Sequence, residues 1–396
     1  MGIFIPLFLV VVCCLLIWRA SDGFAIASDY IGRNLSDGVR GATINAIGSS
    51  LPELFTSLFF LFYLKDVDGF SGGIGTTAGS AIFNGMIIPA AVILVVVFTA
   101  VATNIKVSRK VVRRDGLSLI TAEFIFIILI SGNKLDWWHG FILMIIYFIY
   151  LTYMLKSMQK TGMLEKEKKK SELRNIEYSE ISLFKAILVF DLRRVVLGRS
   201  KINSVNAWPL LIISTIAIAT VCLLLVQACE WIGSDVYTIP FVEGTFHGMD
   251  IPIMFVAVIL ASAASSVPDT IISMNDARKG NYDDAISNAL GSNIFDICFA
   301  MGFPLFLYTL VYGPIHMHQE VIDMSSELRM LLLLLTISAF LVYIFRKKIG
   351  LTQAFMLLGL YTIFSIYVVG RGLNVSIAGH IAEGLRIMVD FINFLN

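Results

Sequence analysis

Three acids stand where this sequence is otherwise greasy. Glu53 follows "AIGSSLP" (46–52), Asp269 follows "ASSVP" (264–268), and Asp296 closes "GSNIFD" (291–296). A carboxylate at the mid-depth of a bilayer costs about 2.5–3.5 kcal/mol on insertion scales, so three of them are a large penalty that only a function repays. Around them lie hydroxyls (Ser49, Ser50, Ser80, Ser265, Ser266, Ser292) and amides (Asn84, Asn293). A proline beside each of the first two acids removes a helical hydrogen bond and frees a carbonyl. No Lys or Arg occurs between 41 and 64, 66 and 105, 202 and 277, or 280 and 328. A cation or a proton must therefore balance the charge. The donors are hard oxygens, suited to calcium or sodium, and two facing acids match a divalent ion. His139, His247, His316, His318 and His380 fall in outward loops or the tail, and the five cysteines form no metal-type spacing, so zinc or copper chemistry is not indicated.

Such residues need a membrane around them. Of 396 residues, 57% are hydrophobic and 15% charged, and the mean hydropathy is +0.81. A soluble protein of this length keeps more charge on its surface. The start, "MGIFIPLFLVVVCCLLIW", lacks a basic region and a cleavage site and reads as a retained first span. Apolar runs predict ten spans, near 3–18, 40–64, 72–102, 117–132 and 140–157, then 207–229, 251–275, 284–312, 328–345 and 351–370. They divide the chain into a first five-helix half (1–157), a charged cytoplasmic loop (158–206), a second five-helix half (207–371) and an amphipathic tail (372–396). The later loop, "ISLFKAILVFDLRRVVLG", is too charged to span and predicts a helix lying on the surface. The tail suits the membrane interface or a short partner helix. If alternate loops beginning after the first span are cytoplasmic, only Lys65, Lys134, Arg329, Arg371 and Arg386 of the 30 basic residues lie outside. That asymmetry puts both termini outside, in a multi-pass protein expected in the cell membrane.

Five spans per half invert the second half relative to the first, and the two halves share sequence. "SSLPE" (49–53) reappears as "SSVPD" (265–269), and "GSAIFN" (79–84) as "GSNIFD" (291–296), in the same order. Ser57 and Ser273 each follow the acid by one helical turn. The first repeat has four extra residues between its acid and Ser80, placed in the turn "YLKDVDGFSGG". The predicted fold is an all-α polytopic membrane protein of two inverted five-helix repeats, with helices broken at the midplane. That arrangement is common in secondary transporters.

These blocks resemble the α-repeats of the cation/calcium exchanger superfamily, in its sodium/calcium branch. Asp269 and "ARKGNYDDAISNALGSNIFDICFAMGFP" (277–304) are most similar to its potassium-dependent members. The resemblance covers roughly 41–101 and 257–312, with the remainder matching in span count and central loop. It implies an antiporter in which Glu53 and Asp269 pair around calcium, helped by backbone oxygens around Ser49 and Ser265. It implies sodium sites lined by Ser50 and Ser80 on one side and by Ser266 and Ser292 on the other. Backbone oxygens of Ala46 and Ser262 would complete those shells, and Asn84 would face Asp296 at the waist. Asp296 matches an acid associated with potassium use, but potassium-independent relatives also carry one, which leaves potassium open. Ser49 stands where the family often has threonine, and Ala264-Ser265-Ser266 where it often has Gly-Thr-Ser.

A channel would use similar oxygens, usually in a symmetric oligomer, whereas two inverted repeats in one chain favour alternating access. An intramembrane hydrolase would need a nucleophile with a proton relay or a metal-bound water; no such motif is present, and no enzyme activity is expected. No resident cofactor and no nucleic-acid partner is expected; the partners are calcium, sodium, potassium if it is used, and the lipid bilayer. Proton-coupled exchange of calcium or another divalent ion is the alternative within transporters, because protons compete for buried carboxylates. Glu123 is expected near a span end, snorkelling or paired with Arg113 or Arg114.

Overall fold

The computed structural model describes residues 2–32, 46–65, 70–160, 181–240, 242–344 and 348–394. Parts of three expected features lie outside the described residues: the start of the second span (40–45), the turn at 66–69, and 161–180 of the central loop.

In the first half, α1 (Phe4–Ile31) is followed by a short helix α2 (Ala46–Ser49) and, after a break at Ser50, α3 (Leu51–Phe62). Then come α4 (Ser71–Phe98), α5 (Arg109–Leu129), the short strand β1 (Lys134–Leu135) and α6 (Trp137–Lys160). The central segment folds into α7 (Leu183–Leu188) and α8 (Leu192–Leu197). The second half opens with α9 (Ala207–Gly233) and a hairpin of β2 (Val236–Tyr237) and β3 (Phe246–His247). Next, α10 (Ile253–Val256), a π-helical turn at Ala257–Ala261 and α11 (Ser262–Ser265) lead through Ser266 into α12 (Val267–Arg278). α13 (Tyr282–Phe295) continues through a second π-helical turn at Asp296–Ala300 into α14 (Gly302–Tyr312). After β4 (Ile315–His316) follow α15 (Gln319–Ile344), α16 (Leu351–Gly372) and α17 (Ser376–Phe394).

Among the described residues seven helices are long and apolar enough to cross a membrane, or eight if the pair Ile253–Ser265 and Val267–Arg278, bent by 43°, is one span. α3 and α5 stand where two further spans are expected; the first is short and the second is heavily charged at its start. Two small pairings tie the halves together. Ile105 bridges Ile349 at one end of the bundle, and β1 pairs antiparallel with β4 at the other.

Apolar packing divides into two clusters. One joins α1 to α9 through Cys13, Ile17, Ala20, Ile218, Cys222 and Leu225, and reaches the edges of α3 and α11. The other is the larger body built around α4, α5, α13, α15 and α16. The five cysteines are all free thiols.

The structure corrects several sequence expectations. α15 begins at Gln319 rather than near 328, which draws Glu327 and Arg329 into the helix, both fully buried. Arg329 is therefore no loop residue. Its Nη1 donates to the Ile127 carbonyl at 2.8 Å and its Nε to the Ser325 carbonyl at 3.1 Å. Ile127 lies in the last turn of α5, where free carbonyls and the helix dipole favour a cation. Glu327 pairs with Arg371 at 2.8 Å. Glu123 neither snorkels nor meets an arginine: it is fully buried and accepts from Thr336 Oγ1 at 2.7 Å, while Arg114 pairs with Asp115. The tail forms a partner helix, α17, which packs on α15 through buried Ala382 and Leu385 and is fastened by Arg386 to Asp323 at 2.7 Å. The surface helix predicted over "ISLFKAILVFDLRRVVLG" is two short helices, split at Phe190, whose φ of 55° no helix can hold.

Candidate functional site

Both acid-bearing helices start inside the protein. Ser50 (φ −97°, ψ 9°) and Ser266 (φ −81°, ψ 2°) leave helical geometry, and Pro52 and Pro268 then occupy the first turn of α3 and α12, where a missing N–H costs nothing. Glu53 and Asp269 lie in those same first turns. The unpaired N–H groups there carry partial positive charge, which offsets some of the cost of burying a carboxylate. The break thus supplies both a bent backbone and a place where an acid is tolerated.

α4 brings the first half's second block against this pair. Ser80 Oγ lies 3.1 Å from Glu53 Oε1, 3.0 Å from Asp296 Oδ2 and 2.7 Å from Ser266 Oγ. Ser266 Oγ is itself 3.3 Å from Glu53 Oε1. Asn84 Nδ2 donates to Asp296 Oδ2 at 3.3 Å. Residues from both breaks and from both second blocks therefore meet at one hydroxyl. Two serine protons cannot serve all of these contacts, since each hydroxyl donates once.

Asp269 sits on the other flank. Its Oδ1 accepts from Ser292 Oγ at 2.9 Å and from Asn288 Nδ2 at 3.4 Å, and Asn288 also donates to Ser273 Oγ at 3.1 Å. Glu53, Asp269 and Asp296 are all fully buried, and none forms an ion pair among the described residues. Among the described residues one oxygen of each is without a hydrogen-bond partner: Glu53 Oε2, Asp269 Oδ2 and Asp296 Oδ1. The amide oxygens of Asn84 and Asn293 share that condition. These five can only accept; the Ser50 and Ser57 hydroxyls, also without a partner among the described residues, can accept or donate. Buried acceptors left without donors cost about 1–3 kcal/mol each, more when charged, so the arrangement suits a bound cation. Among the described residues no three of His, Cys, Asp and Glu group closely enough to hold a metal by themselves. Cation binding here has to draw on serine, asparagine and backbone oxygens as well, as hard-cation sites do.

The expected residues are distributed as follows. Glu53, Ser80, Asn84, Ser266 and Asp296 converge; Ser292 joins Asp269; Ser49, Ser50 and Ser265 are buried at the breaks. Ala46 opens α2, one turn before the break. The Ser262 carbonyl, expected to face a cation, instead accepts from Ser266 N–H at 3.0 Å and Ser265 Oγ at 3.1 Å. A π-helical turn just before it redirects that helix end. Asn293 Nδ2 reaches across to the Ala81 carbonyl at 2.9 Å and so joins α13 to α4.

Sequence reasoning missed Asn288. Its signal was available: it lies one turn before Ser292, on the same helix face. The corresponding position of the first repeat is Thr76, whose hydroxyl turns away to the Gly72 carbonyl at 2.8 Å. The two flanks of the site therefore differ. Replacing Asn288 with Ala removes a hydrogen bond to a carboxylate, an interaction of about 1.5 kcal/mol, and should change half-saturating calcium about tenfold. Thr76→Ala should change it little. Initial-rate calcium titrations of the two variants check the contrast.

A family model described as "Sodium/calcium exchanger protein" matches residues 5–156 and 206–370. An uncharacterized membrane protein of Methanocaldococcus jannaschii is 28% identical over 88% of this chain and 93% of its own length. Human sodium/potassium/calcium exchanger 5 is 27% identical over 87% of this chain and 78% of its own length. Among solved structures, the H+/Ca2+ exchanger CAX superposes with a TM-score of 0.62 at 12% identity, covering 98% of this chain and 88% of that one. The sodium-calcium exchanger NCX_Mj superposes at 0.53 with 22% identity, covering 91% of this chain and 97% of that one. These structural matches bear on the fold alone.

Proposed function

Because this chain belongs to the sodium/calcium exchanger protein family, we propose that it is an antiporter moving calcium against sodium through the site around Glu53, Asp269 and Asp296. It is an ion exchanger of the membrane and not an enzyme. One observation carries the substrate reading: among the described residues, three buried carboxylates each have an oxygen lacking a donor and no Lys or Arg paired with them. Calcium and sodium are the transported substrates, and the ligand oxygens come from Glu53, Asp269, Asp296, Ser49, Ser50, Ser80, Asn84, Ser265, Ser266 and Ser292, with backbone oxygens of Ala46 and Ser262 available once their helix ends rearrange.

Antiport follows from one shared site. Calcium neutralises two carboxylates; sodium ions neutralise the same groups one at a time; both sets cannot be held together. The layout we propose has ten spans as two inverted five-helix repeats, with halves at 1–157 and 207–371, a loop at 158–206, and both termini outside the cell membrane. The α1–α9 pair, which has its own apolar cluster, shifts against the larger body and exposes the site to one side and then the other.

Calcium uptake into proteoliposomes decides the coupling ion. Uptake driven by an outward sodium gradient alone supports sodium/calcium exchange. A further potassium requirement, lost in Asp296→Asn, would assign potassium co-transport to Asp296. Uptake that ignores sodium and follows a pH gradient would replace this reading with proton coupling, in which a proton takes the place of sodium among the hydroxyl-bridged carboxylates of Glu53 and Asp296.

A further inference from the structure

The segment between the two halves is attached to one body of the protein. α8 sits between the ends of α1 and α9, and buries Leu192 and Leu197 in the α1–α9 cluster. Arg19 of α1 donates from Nε to the Val189 carbonyl at 3.0 Å and lies 3.9 Å from Asp191. Asp191 in turn caps α8, accepting from the Arg194 N–H at 3.0 Å, and Arg194 Nε holds the Ile181 carbonyl at 3.0 Å. The segment's substantial helix contacts are with α1 and α9.

Its other face is apolar, and no described residue covers it. Phe184 is 74% exposed, Leu188 70% and Ile187 57%, beside Leu183 and Val189. Only Ala186 of α7 is buried. A short helix does not leave three large apolar side chains in water cheaply, because each keeps apolar surface that burial would remove from water. Two observations identify what covers them. Val205 and Trp208, which follow α8 in the chain, are exposed as well, as are Ile212 and Ile216 of α9, a helix long and apolar enough to cross a membrane. The stretch 183–201 also carries five basic residues, of which Arg194 is buried on the Ile181 carbonyl, against the single acid Asp191, which is already engaged. An apolar face rimmed by Lys and Arg matches a leaflet with anionic headgroups.

We propose that Leu183–Leu197 is a bilayer-docking strap: α7 seats Phe184, Ile187 and Leu188 at the headgroup–acyl boundary, and Arg19 and α8 tie that anchor to α1 and α9. The strap travels with the pair that changes access, so each transport step works against the membrane surface. This coupling rests on the exchange reading above; the docking itself does not.

Two measurements test it on the full-length protein in phosphatidylcholine–phosphatidylglycerol vesicles. Phe184→Cys and Ile187→Cys are labelled with a polarity-sensitive fluorophore, beside Ser200→Cys as a water-facing reference and the unsubstituted chain as a labelling blank. Labels at 184 and 187 should be quenched by acyl-chain bromine and shielded from aqueous iodide, with the reverse at 200. Iodide reaching all three equally would overturn the docking, and so would labels shielded from both quenchers, which would mean that protein or a second copy covers the face. The triple variant Phe184→Ser, Ile187→Ser, Leu188→Ser should lower the maximal calcium flux by at least about twofold while leaving half-saturating calcium unchanged. An unchanged maximal flux would overturn the coupling. Quenching needs no transport, so failure of the exchange reading would leave the first result interpretable.

Discussion

Glu53→Gln is expected to abolish calcium exchange while leaving the protein folded. The substitution keeps the size of the side chain, and the amide oxygen can still accept from Ser80 or Ser266, whose hydroxyls lie 3.1 and 3.3 Å from Glu53 Oε1. What disappears is one of the charges that opposes the cation in a site from which water is excluded. Removing one partner of a desolvated charge pair costs about 3 kcal/mol or more, equivalent to roughly a hundredfold or greater rise in half-saturating calcium. Asp269→Asn should do the same from the opposite flank. Folding should be spared or improved, because burying a carboxylate without its cation is unfavourable and a neutral amide relieves that cost. Calcium flux and thermal unfolding measured on the same preparations check both halves of the expectation. A folded Glu53→Gln protein that retains wild-type flux would remove Glu53 from the site.

Gly79→Val should be comparably damaging by another route. Gly75 and Gly79 form a smooth stripe on α4 that lies against the backbone of the second half: a β-carbon at Gly79 would overlap the Val258 carbonyl oxygen and come within 2.8 Å of the Ser262 β-carbon. Small residues at this spacing allow membrane helices to approach closely. Nothing on the opposing side can yield, because the obstacle is the backbone of the π-helical turn that leads into Ser262 and Ser265. Valine must therefore push α4 away and carry Ser80, its next residue, out of reach of Ser266. Overpacking of this kind costs about 1–3 kcal/mol, and geometric loosening of the site adds a fall in exchange of at least about tenfold. Gly359→Ala is the control: no atom lies within 4 Å of a β-carbon built there, so it should be neutral or slightly stabilising. Unfolding temperatures and fluxes of the two variants should separate widely.

The contrast between these two positions shows what a sequence discloses. Glu53, Asp269, Ser80 and Asp296 stand out as candidates because acids, prolines and serines in apolar runs are improbable, and finding them twice in one order is more so. Their juxtaposition at Ser80 follows from that repeat. Gly79 was visible as part of a motif, but its partner, the Val258 carbonyl, is fixed only by packing across the two halves. Glu123 was misplaced for the same reason. Its position in α5 does not reveal that Thr336, far along the chain on α15, lies 2.7 Å away. Arg329 read as a loop residue because a hydropathy minimum marks charge, not the depth at which α5 offers it a carbonyl. The π-helical turns at Ala257–Ala261 and Asp296–Ala300 leave no compositional mark at all, although the second begins at a site residue. Local chemistry was readable; the non-local partners of Gly79, Glu123 and Arg329 were not.

If the proposed exchange holds, sodium and calcium contend for one set of oxygens. Equilibrium calcium binding to the purified protein, titrated at several sodium concentrations, tests it most directly. Sodium should weaken calcium binding steeply without lowering the number of sites, and Glu53→Gln should remove the high-affinity site altogether. Calcium binding that is insensitive to sodium, or that survives in Glu53→Gln, would contradict it.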